Sequence, residues 1–169
     1  MEQVSLSHWY AVRVKSNRER VTADALLGRD CEVCLPIYHE RRFRRNRARL
    51  VELPMFAGYV FSRFEVSNRL RILKVPGVVH IVGFGNSPQP IDPREMASVF
   101  TLMDTRLPVM PHPYLKIGER VRLSQGPLRG AEGVVLEQKS ETKLVLSITV
   151  LQRSVAVDVD PAWIDGSLW

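Results

Sequence analysis

Cysteine is nearly absent from this 169-residue chain. Cys31 and Cys34 sit in the run Asp30-Cys-Glu-Val-Cys-Leu-Pro-Ile-Tyr38, which reads as a strand, and residues three apart on a strand face opposite ways. No second cysteine pair or spaced histidine pair follows, and His8, His39, His80 and His112 are scattered. The spacing therefore argues against a zinc or redox centre and for two ordinary reduced thiols. Long hydrophobic runs are missing too: no stretch approaches a membrane span, and the first residues lack a signal-peptide pattern, which makes the cytoplasm the default location. There is no nucleophile–base pair and no paired-carboxylate site, so the sequence points away from an enzyme and calls for no cofactor. The loop Gly83–Pro88 has glycines, but no Lys-Ser/Thr pair follows and no helix opens at its end; an ordinary turn is expected there, not a phosphate cradle.

What the chain has is charge of one sign in one place. The net charge of +6 lies entirely within residues 1–106, whereas residues 107–169 are neutral. Arg41-Arg-Phe-Arg-Arg-Asn-Arg-Ala-Arg49 holds six arginines in nine residues. A concentrated patch of this kind is the usual electrostatic footprint of a nucleic-acid contact; the alternative is a solvated basic loop.

Next to this arm lies Leu53-Pro-Met-Phe-Ala-Gly-Tyr-Val-Phe-Ser-Arg-Phe64, an aromatic run that reads as a strand buried on at least one face. Gly58 predicts a bulge that brings Phe56 and Tyr59 onto one surface. Before it, Trp9–Val14 reads as a first strand. Ser16 and Glu19 form a capping box for a helix running to about Leu27, with Val21, Ala25, Leu26 and Leu27 toward the core and Gly28 as C-terminal cap. Residues 31–38 give a second strand, so that 31–64 reads as a long hairpin with a basic tip. Arg69–Lys74 is a short helix with Leu70 and Leu73 inward, and Val78–Phe84 a fourth strand. Asp92, Pro93 and Glu95 open a last helix that carries Met96, Val99, Phe100 and Met103.

Three prolines between Pro108 and Pro113 predict a semi-stiff linker. Beyond it only short strands are expected, at about 118–124, 132–137, 144–151 and 154–159, the pattern of a small barrel. The fold class is thus α+β. An antiparallel-dominated α/β sandwich spans residues 1–106, a proline-bearing linker 107–114, and a small SH3-like β-barrel 115–169.

Trp9-Tyr10 opening the first strand, Phe56-Ala-Gly-Tyr-Val60, the Val75-Pro-Gly-Val78 turn and Gly126-Pro…Gly130…Gly133-Val-Val135 together resemble the NusG/RfaH family of transcription elongation factors. The resemblance covers nearly the whole chain, as a NusG N-terminal domain, a linker and a KOW domain, with Ala57 where the family usually has proline. It implies a monomeric transcription elongation and antitermination factor whose N-terminal domain packs on the clamp helices of RNA polymerase and touches upstream or non-template DNA. Carried over by position, the polymerase patch falls on Trp9, Phe56 and Tyr59. Nucleic-acid contacts fall on Lys15, Arg18 and Arg20 at the first helix, beside the arm residues Arg41, Arg42, Arg44, Arg45, Arg47 and Arg49. The KOW domain of such factors recruits Rho or a small-subunit ribosomal protein. Here Leu128, Ala131 and Leu151 stand where aromatic docking residues are usual, which favours a specialised paralogue. Leu144–Leu151 is strongly β-favouring, against an all-helical state of that domain. A ribosome-associated, RNA-binding KOW protein is the competing reading, and the neutral charge of residues 107–169 counts against it.

Overall fold

His8–Val14 (β1) alternates Tyr10, Val12 and Val14 with Trp9, Ala11 and Arg13, so its two faces differ in character. In the computed structural model, which describes residues 6–115, 118–138 and 140–167, β1 pairs antiparallel with Tyr59–Phe64 (β5), matching Ala11 with Phe61 and Arg13 with Tyr59. Glu32–Cys34 (β2) flanks β5, and Val78–Ile81 (β6) flanks β1, giving an antiparallel sheet ordered β2-β5-β1-β6. This sheet belongs to one of two compact units, made of Met1–Leu35 and Phe56–Ile91; the other comprises Pro36–Met55 and Asp92–Trp169.

In the first unit, Tyr10, Val12, Val14, Val60 and Phe64 meet Ala23 and Leu26 of helix α1 (Glu19–Leu27) and Ile72 of α2 (Arg69–Leu73). Tyr10 and Phe64 stack with centroids 4.7 Å apart. The helices turn differently from expectation. Leu26 is buried as expected and Ala25 packs against the core, but Val21, Leu27, Leu70 and Leu73 are exposed, and Thr22, Ala23 and Ile72 are buried in their stead. The capping box does not form: Arg18 is the N-cap without a side-chain bond, because Asn17 takes a left-handed turn (φ 60°) and Glu19 is used elsewhere. Gly28 ends the helix at φ −73°, with no left-handed cap. The strand predicted over 78–84 stops at Ile81, and Gly83–Phe84 (β7) and Ser87–Pro88 (β8) make a small hairpin.

The second unit contains the arginine arm. The predicted strands 31–38 and 53–64 are each broken, at Leu35-Pro36 and at Met55–Gly58. Between the breaks, Ile37–Arg44 (β3) and Arg47–Pro54 (β4) form a separate two-stranded ribbon, closed at its base by the Met55 N–H donating to the Pro36 carbonyl at 2.8 Å. Helix α3 (Pro93–Met103) has the expected cap, the Asp92 carboxylate accepting from the Arg94 N–H at 2.8 Å. Met96 and Val99 are buried as expected, together with Ser98 and Leu102, whereas Phe100 and Met103 remain partly exposed.

An antiparallel sheet completes this unit, ordered β14-β10-β11-β12-β13-β9: Ile164–Ser167, Glu119–Leu123, Glu132–Gln138, Glu141–Ile148, Arg153–Asp158 and Val109–His112. Each strand expected beyond residue 115 is found, but the one expected over 144–151 ends at Ile148, before a 3-10 turn at Thr149–Leu151, and Ile164–Ser167 is an additional strand. Val109–His112 is new, since that stretch reads as linker; Pro111 is tolerated there because β9 is an edge strand. Helix α3 packs on β11 and β12. There the Glu132 N–H donates to Ser98 Oγ at 3.0 Å, and the Thr149 N–H donates to the Glu95 carboxylate at 3.1 Å, with the Thr149 hydroxyl donating to it as well. Among the described residues no helix is long and apolar enough to cross a membrane.

Candidate functional site

The motif Phe56-Ala-Gly-Tyr59 folds as a turn, not a bulge: the Tyr59 N–H donates to the Phe56 carbonyl at 3.1 Å, and Gly58 lies at φ +84°. Two elements clamp it. The Gly58 N–H donates to Glu19 Oε1 at 2.9 Å, and the Gly58 carbonyl accepts from the Val14 N–H at 2.9 Å. A side chain at Gly58 would be strained at that φ and would run into the Arg13 guanidinium. That guanidinium lies 5.0 Å from the centroid of the Tyr59 ring, a cation–π pair across the β1–β5 register.

The three residues expected at a polymerase surface separate here. Trp9 and Tyr59 are half-buried and share one face of the sheet. Phe56 is only 2% exposed and packs edge-on against Phe61, centroids 5.5 Å apart. Gly58 does not expose it, contrary to the expectation. Lys15, Arg18 and Arg20 are all exposed at the turn into α1. Arg13 and Glu19 escaped the sequence reading: one reads as an ordinary outward strand residue and the other as a capping carboxylate.

The ribbon presents the other candidate surface. Its register pairs Arg42 with Arg49 and Arg44 with Arg47, so four arginines share one face near the tip. Arg41, Phe43, Ala48 and Leu50 occupy the opposite face, where Phe43 is 74% and Leu50 64% exposed. Arg45 and Asn46 make the two-residue turn, both left-handed at φ 49° and 58°. Glu40 accepts from Arg42 Nε at 2.6 Å, and His39 lies 3.5 Å from Glu52. Glu40 shares this face and partly neutralises Arg42, so the like-charge repulsion that a further anion would relieve lies toward Arg44, Arg47 and Arg49.

Neither cysteine sits in a reactive setting. Burial pushes the Cys34 thiol up to about 11, and Cys31 Sγ donates to the Leu26 carbonyl at 3.2 Å. Leu128, Ala131 and Leu151, at the expected docking positions of the β unit, are buried within it.

A family model described as transcription termination factor nusG matches residues 7–100, more than half of the chain. This chain belongs to the NusG family. NusG family members are non-enzymatic transcription factors that act with RNA polymerase. The chain is 23% identical to the transcription termination/antitermination protein NusG of Campylobacter jejuni, over 92% of this chain and 95% of that one. It is 28% identical to the NusG of Borreliella burgdorferi, over 90% and 94%. A solved structure reported as domain interaction in Thermotoga maritima NusG superposes with a TM-score of 0.59 at 22% identity, covering 95% of this chain and 97% of that one, which supports a shared fold.

Proposed function

We infer that this chain is an elongation and antitermination factor that seats the β1–β5 face of its first unit on the clamp helices of RNA polymerase. The observation that carries this reading is the Gly58 turn. A buried carboxylate, Glu19, and a strand amide, Val14, hold it so that the Tyr59 ring and the Arg13 guanidinium are fixed beside each other on the sheet. Such pre-organisation lowers the ordering cost of binding a helical partner. Trp9 and Tyr59 supply the contact, and Phe56 supports the turn from beneath.

The ribbon arginines Arg41, Arg42, Arg44, Arg45, Arg47 and Arg49, with Lys15, Arg18 and Arg20, contact DNA phosphates near the transcription bubble. Residues 115–169 act as a KOW-type recruiting module, and 1–106 as the polymerase-binding part. The factor works as a monomer in the cytoplasm. The concentration of arginine on the ribbon, together with burial of Leu128, Ala131 and Leu151, fits a specialised paralogue more closely than a general factor that couples to Rho or the ribosome.

Binding of the full chain to core RNA polymerase, measured with and without a nucleic-acid scaffold, tests this. Wild type should bind both, more tightly with the scaffold, and lengthen run-off transcripts on a pausing template. Failure to bind core polymerase, combined with tight binding to ribosomal RNA, would overturn it.

A further inference from the structure

Arg120 of β10 has a buried guanidinium nitrogen, Nε, that meets no hydrogen-bond acceptor. Arg120 lines a cavity of about 260 Å³ inside the second unit, walled by the first turns of α3 on one side and by β10, β11 and β12 on the other. A buried guanidinium donor left unpaired is costly, and such a group in a folded chain calls for a reason.

The other charges around the cavity are already matched. Asp92 pairs with Arg94 at 3.2 Å, and Glu132 pairs with Arg122. Glu95 accepts from the Thr149 N–H and hydroxyl, and burial pushes its carboxyl toward the neutral form. The hydroxyls are engaged as well. Ser98 donates to the Arg94 carbonyl and accepts from the Glu132 N–H, and Ser147 bonds to Ser154 at 2.6 Å. Among the described residues, Arg120 is therefore the one charged group of this cavity without a partner.

We propose that the cavity is a binding site for a small oxyanion, a free phosphate or a short carboxylate, gripped by Arg120. The planar guanidinium offers parallel N–H donors that match two oxygens of such a group. Water alone would satisfy the Nε hydrogen bond yet leave the charge unmatched; an oxyanion does both. A cation is the wrong ligand, because the carboxylates on the walls have no charge to spare. Since the walls come from α3 and from the sheet, a bound oxyanion ties the helix to the strands beneath it. The site is separate from the polymerase and nucleic-acid surfaces, so it stands or falls independently of them.

The full-length protein should be melted in sodium phosphate and in sodium acetate, each compared with sodium chloride at equal ionic strength. A saturable rise in melting temperature is expected in at least one of the two, and which one tells phosphate from carboxylate. Arg120→Gln should weaken the interaction by about 10- to 150-fold, so that the rise disappears. Arg120→Lys, which keeps the charge but not the fork, should show a smaller rise and serves as the readout if the glutamine variant fails to fold. The ribbon is the rival anion site, so Arg44→Gln/Arg45→Gln/Arg47→Gln should respond like wild type. Glu95→Gln should also respond, since no charge of Glu95 is used. No saturable rise in either salt overturns the proposal, as does a wild-type response in the Arg120 variants. Loss of the response in the ribbon variant would place the anion there instead. Its loss in Glu95→Gln would point to a ligand with a positive group and equally defeat the oxyanion assignment.

Discussion

Strand β5 and the ribbon strands β3 and β4 follow the same alternation, yet β5 hides Val60, Phe61 and Phe64 while the distal ribbon hides nothing. Both contain aromatic and apolar residues, and both are antiparallel to their neighbours. The difference lies in what stands over each face. Alternation decides which way a side chain points; only a covering element decides whether it is buried. Phe61 and Phe43 are chemically the same residue in opposite settings.

The sharpest way to break that comparison is to delete both rings. Phe61→Ala and Phe56→Ala should each lower stability by about 3–5 kcal/mol in chemical denaturation, whereas Phe43→Ala should leave it within about 0.5 kcal/mol. A Phe56→Ala protein as stable as wild type that has lost polymerase affinity would return Phe56 to the interface. Next in size is Tyr59→Ala, expected to cost about 2 kcal/mol or more of polymerase binding with a smaller change in melting temperature. If stability and binding fall together, Tyr59 is core and the polymerase face lies elsewhere.

For the ribbon, neutralising Arg44, Arg45 and Arg47 together should flatten the log–log salt dependence of elongation-complex binding by about two to three units. Binding to polymerase free of nucleic acid should hardly change. Equal loss on bare polymerase would mark the ribbon as a protein-docking element.

How much of this was legible in the sequence differs between the two regions. The ribbon was legible only as a basic hairpin: the arginines read as the tip between strands 31–38 and 53–64, whereas Arg41, Arg42, Arg44, Arg47 and Arg49 lie within the ribbon strands themselves and only Arg45 is in the turn. The α3 cap was legible in full, because Asp92 and Pro93 act on their immediate neighbours. The Gly58 turn was misread. Its bond partner, Glu19, is 39 residues away, and that long-range claim outcompeted the local capping box that Ser16 and Glu19 spell out. Val21 and Leu27 are exposed because the stripe that faces the sheet runs through Glu19, Thr22, Ala23 and Leu26, with Glu19 drawn inward to Gly58. Val109–His112 was hidden because prolines argue against strands, and only pairing with β13 reveals that this is an edge. Which ribbon face holds Phe43 depended on the turn length, which arginine-rich composition does not specify.

Two smaller effects refine the contrast between covered and uncovered groups. Asp92→Ala should cost about 1 kcal/mol at neutral pH. Its hydrogen bond to Arg94 holds the Asp92 carboxyl below the usual range, so its contribution is present above the unfolded value and lost as pH falls through the folded one. A stability difference that persists undiminished in strong acid would argue against the charged cap. Glu95 runs the other way. Burial raises its carboxyl above the usual glutamate range, opposed by the Thr149 bonds. The folded chain therefore keeps a proton that the unfolded chain releases, and Glu95 weakens stability as pH rises through that interval. Glu95→Gln should melt with wild type below the usual glutamate range and increasingly above it as pH rises through the folded-state value. A gap that closes as pH rises would reverse the assignment.

The turn Arg45-Asn46 imposes a rule of inheritance on the ribbon. Both residues are left-handed, the geometry that joins two strands with no slack and whose handedness matches their twist. A single codon gained or lost within β3 or β4 would slide one strand by one position, and every side chain beyond it would change sides. Because the turn holds Arg44 opposite Arg47 and Phe43 opposite Ala48, the slip falls on the base side of the change, where the strand must bulge or lose its partners. The arm can therefore grow or shrink in descendants only by matched additions to both strands, and a family of such ribbons should vary in length by even steps.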